Sequence, residues 1–342
     1  MPTGSERVVL LPGDGIGPEV SAEARLVLEV LAPRVELDER LLGGAAIRAT
    51  GSPLPQETVD TCLSAVAVLK GPVGDPEFDA AEVRPEQGLL ALRSALDTYA
   101  NLRPAVLGDV DVLIVRELVG GLYFGARGVR EDGTVFDTCE YHPRQVERIV
   151  RRAFRLAEAR GGLLTSVDKA NVLDTSRLWR RVVNELAPEF PNVRVEHMLV
   201  DNAAMQLATT PQQFDVIVTE NMFGDILSDL AAAVTGGLGM APSASLSDGG
   251  PGIFEPVHGS APDLAGRGVA NPAAMLRSTV LLLEHGLARP EEAQALDRAI
   301  EAAIVSSPTA DLGGTASTAD FGAAVREQLA VDGAAAASYR GT

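Results

Sequence analysis

Short β-branched runs alternate with longer segments of helical hydrophobic period, and this alternation limits the chain to an α/β fold. Strands are expected at Arg7–Leu11, Val35–Leu42, Ala65–Leu69, Val110–Glu117, Leu163–Asp168, Val193–Val200 and Phe214–Thr219. The plainest helix is Pro143–Arg160, where Val146, Ile149, Val150, Ala153, Phe154 and Ala157 form an apolar stripe with arginines outside it. Further helices are expected at Pro18–Leu31, Ser176–Leu186, Ala203–Ala208, Asp225–Val234, Pro272–His285 and Pro290–Ile304. With 342 residues the chain has room for about two domains. Places where it could cross between lobes are Ala100–Pro104 and the glycine-rich stretches 236–239 and 249–252.

Charge narrows the partners. Asp and Glu number 47 against 29 Lys and Arg, a net charge of −18 that repels phosphate backbones and anionic lipid, so neither nucleic acid nor membrane is an expected partner. No apolar run approaches the roughly 18 residues of a membrane span, and Met1–Arg7 has no signal-peptide core. The two cysteines, Cys62 and Cys139, are too few for a disulfide framework and lack zinc-site spacing, so a reducing, cytoplasmic setting is expected.

In so acidic a chain, clustered arginines need a reason. Arg93 and Arg103 lie within GLLALRSALDTYANLRP, and Arg116 follows at the end of a strand. Guanidinium groups suit bidentate carboxylate recognition, so the three can hold a dicarboxylate, although each alone can equally be a surface arginine paired with an acid. In ENMFGDILSDL, Asp225 and Asp229 stand four residues apart on one helix face, with Asp201 at the end of another strand. Like charges at that spacing repel, and a hard cation such as Mg²⁺ or Mn²⁺ between them relieves the repulsion. A solvated helix face with Asp201 as an N-cap is the competing explanation.

Two loops are rich in glycine. PGDGIGPE at Pro12–Glu19 follows the first strand, but a proline at the third glycine position, Pro18, fits a dinucleotide fingerprint with Asp38 as its ribose acid poorly. EPVHGSAPDLAG, at Glu255–Gly266 and followed by Asn271, is the better nucleotide loop. There Gly259 and Ser260 can offer amides to phosphate, and Asp263 can accept from ribose hydroxyls while repelling a 2′-phosphate, which favours NAD. Tyr123 in GGLYFG and Lys169 in SVDKANV are candidate proton carriers.

The segments LPGDGIGPEV, GLLALR, YANLRP, VRELVGGLYFG, SVDKANV, NMFGDILSDL and FEPVHGSAPDLAG occur in one order along the chain. Together they resemble the isocitrate/isopropylmalate dehydrogenase family of β-hydroxyacid oxidative decarboxylases from end to end. The resemblance implies that Arg93, Arg103 and Arg116 bind malate carboxylates, that Asp201, Asp225 and Asp229 hold Mg²⁺ or Mn²⁺, and that Tyr123 and Lys169 act as general acid and base. It places NAD on Glu255, His258, Gly259, Ser260, Ala261, Asp263 and Asn271 rather than on a Rossmann domain, leaving PGDGIGPE largely architectural. It also implies two interleaved domains with a mixed sheet running through both: residues 1–99 with 237–342 for the nucleotide, and 100–236 for dimerisation, metal and substrate. Lys169 and Asp201 then come from the neighbouring subunit of a homodimer.

Within the family the substrates share malate and differ at C3. Leu89 and Leu90, with Val172 and Asn171 from the neighbouring subunit, imply an apolar pocket that suits a branched alkyl group and disfavours a third carboxylate. Glu86 resembles the family glutamate near the nicotinamide. The expected reaction is metal-dependent oxidative decarboxylation of 3-isopropylmalate to 4-methyl-2-oxopentanoate with reduction of NAD⁺, in leucine biosynthesis. Another 3-alkylmalate, D-malate or tartrate is the alternative. The turn Lys70-Gly71-Pro72 departs from the family pattern and is expected to leave the residues touching substrate unchanged.

Overall fold

A computed structural model describes residues 6–339. In chain order its first elements are β1 (Arg7–Leu11), α1 (Gly17–Leu31), β2 (Glu36–Glu39), α2 (Gly44–Thr50), α3 (Gln56–Ser64), β3 (Ala67–Lys70) and α4 (Pro85–Ala95). Then come β4 (Ala100–Leu107), β5 (Val110–Glu117), β6 (Arg127–Val129), β7 (Val135–Asp137), α5 (Pro143–Glu158), β8 (Leu163–Asp168) and α6 (Asp174–Leu186). These are followed by β9 (Arg194–Leu199), α7 (Val200–Thr209), β10 (Val216–Thr219) and α8 (Asn221–Val234). The chain continues through β11 (Pro242–Leu246), β12 (Gly252–Pro256), α9 (Ala273–Leu281), a π-helical turn at Leu282–Gly286, α10 (Pro290–Ser306) and α11 (Thr318–Tyr339).

The fold is α/β, with two compact units. One joins the chain up to Leu96 to the chain from Gly239 onward, and the other is Asp97–Leu238. Strands of the first unit run in the order β2-β1-β3-β12-β11, parallel except for the antiparallel β11–β12 pair. In the second unit the order is β4-β5-β10-β8-β9, parallel except for β4–β5. Neither is the all-parallel, doubly wound order of a Rossmann domain. Each has its own core: Val9, Leu11, Val68, Leu92 and Ile253 in the first unit, and Val112, Ile114, Val167, Phe214, Ile217 and Leu227 in the second. Among the described residues no helix is long and apolar enough to cross a membrane.

Local chemistry accounts for the elements that frame the site. Helix α5 begins where Pro143 fits the first turn, His142 Nδ1 accepts from Arg144 N, and Gln145 Oε1 accepts from His142 N in return. All six residues of its apolar stripe are buried. Helix α8 begins at Asn221, a turn before the expected Asp225, because the Glu220 carboxylate caps it by accepting from Phe223 N at 2.7 Å.

The stretch 100–104, expected as a crossing, is instead the beginning of β4. Pro104 hides it from a propensity reading, yet β4 pairs with β5 from Ala100↔Glu117 to Leu107↔Val110, turning at Gly108 with φ +59°. Likewise 249–252 lies at the β11–β12 hairpin.

Candidate active site

The β4–β5 register puts Asn101 opposite Arg116 and Arg103 opposite Ile114, so both arginines rise from one face of the second unit's sheet. Helix α8 packs there. Arg116 is 3% exposed; its Nε and Nη2 donate to Asn221 Oδ1 at 3.0 and 2.7 Å, and its Nη1 reaches Asp225 Oδ1. Gly224 makes this approach possible, since a Cβ there would lie 2.6 Å from Arg116 Cγ. One turn further along α8, Arg103 Nη1 donates to Ser228 Oγ at 2.8 Å and to Asp229 Oδ1 at 3.1 Å, while its Nε is held by Asn101 Oδ1 at 2.9 Å. Tyr123 completes the group, donating from Oη to Asp225 Oδ2 at 3.1 Å. Burial, followed by the Asp225 charge, pushes the Tyr123 hydroxyl pKa up, so the phenol keeps its proton at neutral pH. Burial, opposed by Arg103 and reinforced by Asp225, raises the Asp229 carboxyl.

Lys169 lies just beyond β8, with Nζ 2.5 Å from Asp201 Oδ1 in the first turn of α7. The Lys169 bond holds the Asp201 carboxyl below its usual range. Asp168, 1% exposed, takes a two-pronged contact from Arg180 at 2.9 Å on each side and accepts from Ala170 N, which fixes the turn carrying Lys169. Asn171 and Val172 project from that turn and are exposed. The structure therefore groups Asp225 and Asp229 with Arg103, Arg116 and Tyr123, and separately pairs Asp201 with Lys169. Among the described residues of the single chain, no three His, Cys, Asp or Glu side chains are grouped to hold a metal.

In the first unit, α4 sets Glu86, Leu89, Leu90 and Arg93 at spacings of three, four and seven, along one helix face. Arg93 Nη2 meets Glu255 Oε1 at 2.9 Å, and Lys70 Nζ meets Glu255 Oε2 at 2.7 Å. This shows what the Lys70-Gly71-Pro72 turn does. Lys70 is 2% exposed, donates also to the Gly71 carbonyl, and helps set the carboxylate on which Arg93 rests. Desolvation lowers the Lys70 pKa, whereas Lys70 and Arg93 outweigh the burial of Glu255 and hold its carboxyl down at about 2. Sequence reasoning missed Lys70 because a lysine is normally exposed; only the signal of a lone charge ending the apolar run AVAVL was available.

PGDGIGPE is architectural in the structure. Asp14, 3% exposed, accepts from Gly44 N, Ala45 N and Gly74 N, while a Cβ on Gly13 would meet Pro72 O at 2.1 Å and one on Gly15 would meet Ser260 O at 1.9 Å. Asp38 pairs with Arg40 at 3.0 Å. Through Ile16 N donating to Ser260 O at 2.8 Å, the loop braces the segment after β12. That segment borders a cleft of about 500 Å³ lined by Ile16, His258, Gly259, Ala261, Leu264 and Asn271 among others. His258 Nδ1 contacts Gly259 O, and its Nε2 is buried without a hydrogen-bond partner, an orphan of the kind a ligand satisfies. Asn271 is clamped by Asp311 and by Ala273 N, and a Cβ on Gly259 would meet nothing within 4 Å. Asp263 is exposed on a single 3₁₀ turn.

The donor chemistry fits the implied groups. Asp225 and Asp229 offer adjacent hard oxygens on one half-exposed helix face, where like charge makes a divalent cation favourable. A cleft with apolar walls and an orphaned imidazole nitrogen suits a nucleotide.

Comparison with known proteins agrees. The family model described as isocitrate/isopropylmalate dehydrogenase matches residues 7–325. A protein named 3-isopropylmalate dehydrogenase from Zymomonas mobilis is 50% identical, over 94% of this chain and 99% of its own. One of the same name from Bacillus subtilis is 52% identical, over 88% and 90%. The crystal structure of isocitrate dehydrogenase from Methylococcus capsulatus superposes with a TM-score of 0.88 at 37% identity, covering 95% of this chain and 99% of that one. Matched by the family model over most of its length and by relatives about half identical, this chain belongs to the isocitrate/isopropylmalate dehydrogenase family and is a dehydrogenase, an oxidoreductase acting on a small-molecule substrate.

Proposed function

We propose that the enzyme oxidatively decarboxylates 3-isopropylmalate to 4-methyl-2-oxopentanoate and CO₂ with NAD⁺ as hydride acceptor, in leucine biosynthesis, in the cytoplasm and as a homodimer. The observation that carries this reading is the constellation on β4, β5 and α8. Two arginines, two carboxylates and a protonated phenol converge there, as a hydroxy diacid requires. Relatives of that name, about half identical over nearly the whole chain, support the choice of substrate. Cys62 and Cys139 are both unpaired, in keeping with a reducing compartment.

Arg93, Arg103 and Arg116 bind the malate carboxylates. Leu89 and Leu90 of one protomer and Val172 of its partner receive the isopropyl group, with Asn171 beside them and Glu86 toward the nicotinamide. Asp225 and Asp229, with Asp201 contributed across the dimer, hold Mg²⁺ or Mn²⁺. When bound, the cation supplies positive charge that favours loss of the hydroxyl proton and, later, loss of CO₂. Lys169, also contributed across the dimer, takes the hydroxyl proton at Nζ as the C2 hydride leaves for NAD⁺, giving the β-keto acid. After the C–CO₂ bond breaks, Tyr123 gives its Oη proton to the carbon that lost the carboxylate. His258, Gly259, Ser260, Ala261, Asp263 and Asn271 hold NAD, and Glu255 sits behind them and orients Arg93.

The first test is NADH formation from 3-isopropylmalate, D-malate, isocitrate and tartrate, each with Mn²⁺ and with excess chelator. Turnover highest on 3-isopropylmalate and lost in chelator is expected. A higher rate on isocitrate would overturn the role of Leu89 and Leu90, because burying a third carboxylate against them costs several kcal/mol in order of magnitude. A separate expectation concerns the nucleotide. Asp263→Lys removes an acceptor for ribose hydroxyls and places a cation where a 2′-phosphate would lie, so kcat/KM should shift toward NADP⁺ by about tenfold or more. An unchanged ratio of the two cofactors' kcat/KM would remove Asp263 from that role.

A further inference from the structure

Behind the arginine-carboxylate face of the second unit lies a buried polar cluster that the reaction does not use. Glu117, the last residue of β5, is fully buried, and Glu220, just beyond β10, is 8% exposed. Between them sits the Tyr141 hydroxyl. It donates to Glu220 Oε2 at 3.4 Å and accepts from Asn221 N at 2.9 Å, with the Glu117 carboxylate close enough to act on it electrostatically. The two carboxylates in turn hold backbone. Glu117 accepts from Val119 N at 3.2 Å and Gly120 N at 2.8 Å, and Glu220 accepts from Phe223 N. The aromatic ring is fitted just as closely: a Cβ on Gly120 would lie 2.6 Å from it and one on Gly121 2.5 Å from its hydroxyl, and it meets Trp179 edge-on at 6.0 Å.

Everything this cluster grips carries the site. Asn221, whose backbone N–H donates to Tyr141, accepts from Arg116 at its side-chain oxygen and donates from its side-chain nitrogen to Leu118 O and Gly120 O. The 3₁₀ turn Gly121–Tyr123, which starts beside Gly120, presents the Tyr123 hydroxyl to Asp225. We propose that Tyr141 is a positioning residue of the substrate site: its hydroxyl, seated between Glu117 and Glu220, ties the turn bearing Tyr123 to Asn221 and so fixes the Arg116 guanidinium. A phenol suits this post because it donates once and accepts once while filling apolar space. The inference rests on the reading of Arg116 as a substrate ligand.

The groups facing the cluster are few. Arg148 faces Glu117, while Arg116, Cys139 and Tyr123 face Glu220. Burial pushes the Glu117 carboxyl up to about 7, against the Val119 and Gly120 amides and the Arg148 charge.

The experiment is Tyr141→Phe in the full-length enzyme, with Arg116→Gln as control. The variant keeps the ring, so the KM for NAD⁺ and the emission of Trp179, the single tryptophan, should stay as they are, while the thermal midpoint falls by about the few degrees that two lost buried hydrogen bonds cost. The KM for 3-isopropylmalate should rise about tenfold. A substrate KM within twofold of the parent, or a loss of NAD⁺ affinity as large as that of the substrate, overturns the proposal. Should Arg116→Gln leave the substrate KM unchanged, the underlying reading of Arg116 fails. If that control responds and Tyr141→Phe does not, only the role of Tyr141 fails.

Discussion

Lys169→Met should lower the rate of hydride transfer from 3-isopropylmalate by about 10²–10⁴-fold, the usual worth of a positioned general base. Methionine preserves the length of the side chain and removes only its proton chemistry. The fold should be little affected, because the bond lost is to Asp201, whose side chain is 66% exposed, and exposed ion pairs contribute little to stability. Tyr123→Phe should behave differently. In the proposed mechanism the phenol returns a proton to carbon after CO₂ has left, so its loss should slow decarboxylation and reprotonation while sparing hydride transfer. Single-turnover NADH formation and reduction of the oxo-acid intermediate by NADH separate the two steps. Equal slowing of that reduction by both variants would count against the division of labour. The ordinary state of the phenol supports it, since burial and the Asp225 charge keep Tyr123 protonated where an acid is wanted.

The largest effect on stability should come from Glu255→Gln. Its carboxylate lies between Lys70 at 2.7 Å and Arg93 at 2.9 Å, with Lys70 only 2% exposed. Removing the anion leaves the buried Lys70 ammonium facing the partly buried Arg93 guanidinium, and breaking a buried pair in this way costs about 3–5 kcal/mol. Lys70→Met should cost much less, because it exchanges a buried ammonium for an apolar chain of similar volume and leaves the Glu255–Arg93 contact in place. Urea denaturation of the two variants is the measurement, and a Lys70→Met loss as large as that of Glu255→Gln would contradict this account. The pH dependence has a definite sign. The folded-state pKa of Glu255, about 2, lies below its ordinary value of 4.5, so the stabilisation is complete above about pH 4.5 and drains away as the pH falls toward 2. Arg93 is held by this carboxylate, so weaker malate binding should accompany Glu255→Gln.

The two variants also show where sequence and structure part. Lys70 was passed over as a departure in a turn, since nothing local to AVAVLKGP tells a buried lysine from a solvated one. Its partner lies 185 positions along the chain, and β3 beside β12 is what brings them together. Tyr141 was likewise silent, because its role depends on Glu117 and Glu220 arriving from the ends of two different strands. Strand β4 was hidden by Pro104, and β11 by its small residues; both are stabilised by cross-strand pairing rather than by propensity. By contrast β5 and β8 were legible to the residue, since their apolar runs and bounding turns are local signals.

What the sequence determined by itself was therefore everything carried by local order. It set the α/β alternation from periodicity, the stripe of α5 from spacing, and the family from seven motifs in one succession, with the candidate site residues lying within them. Only the tertiary structure decided which of those residues touch. It bound Arg116 to Asn221 and Asp225, set Arg103 on Asp229 a turn later, paired Lys169 with Asp201, and made Glu255 the seat of Arg93. The physical reason is range: helical and strand periods act over a few residues, whereas the ion pairs and hydrogen bonds that aim these side chains are closed by sheet register and burial, which the distant chain supplies.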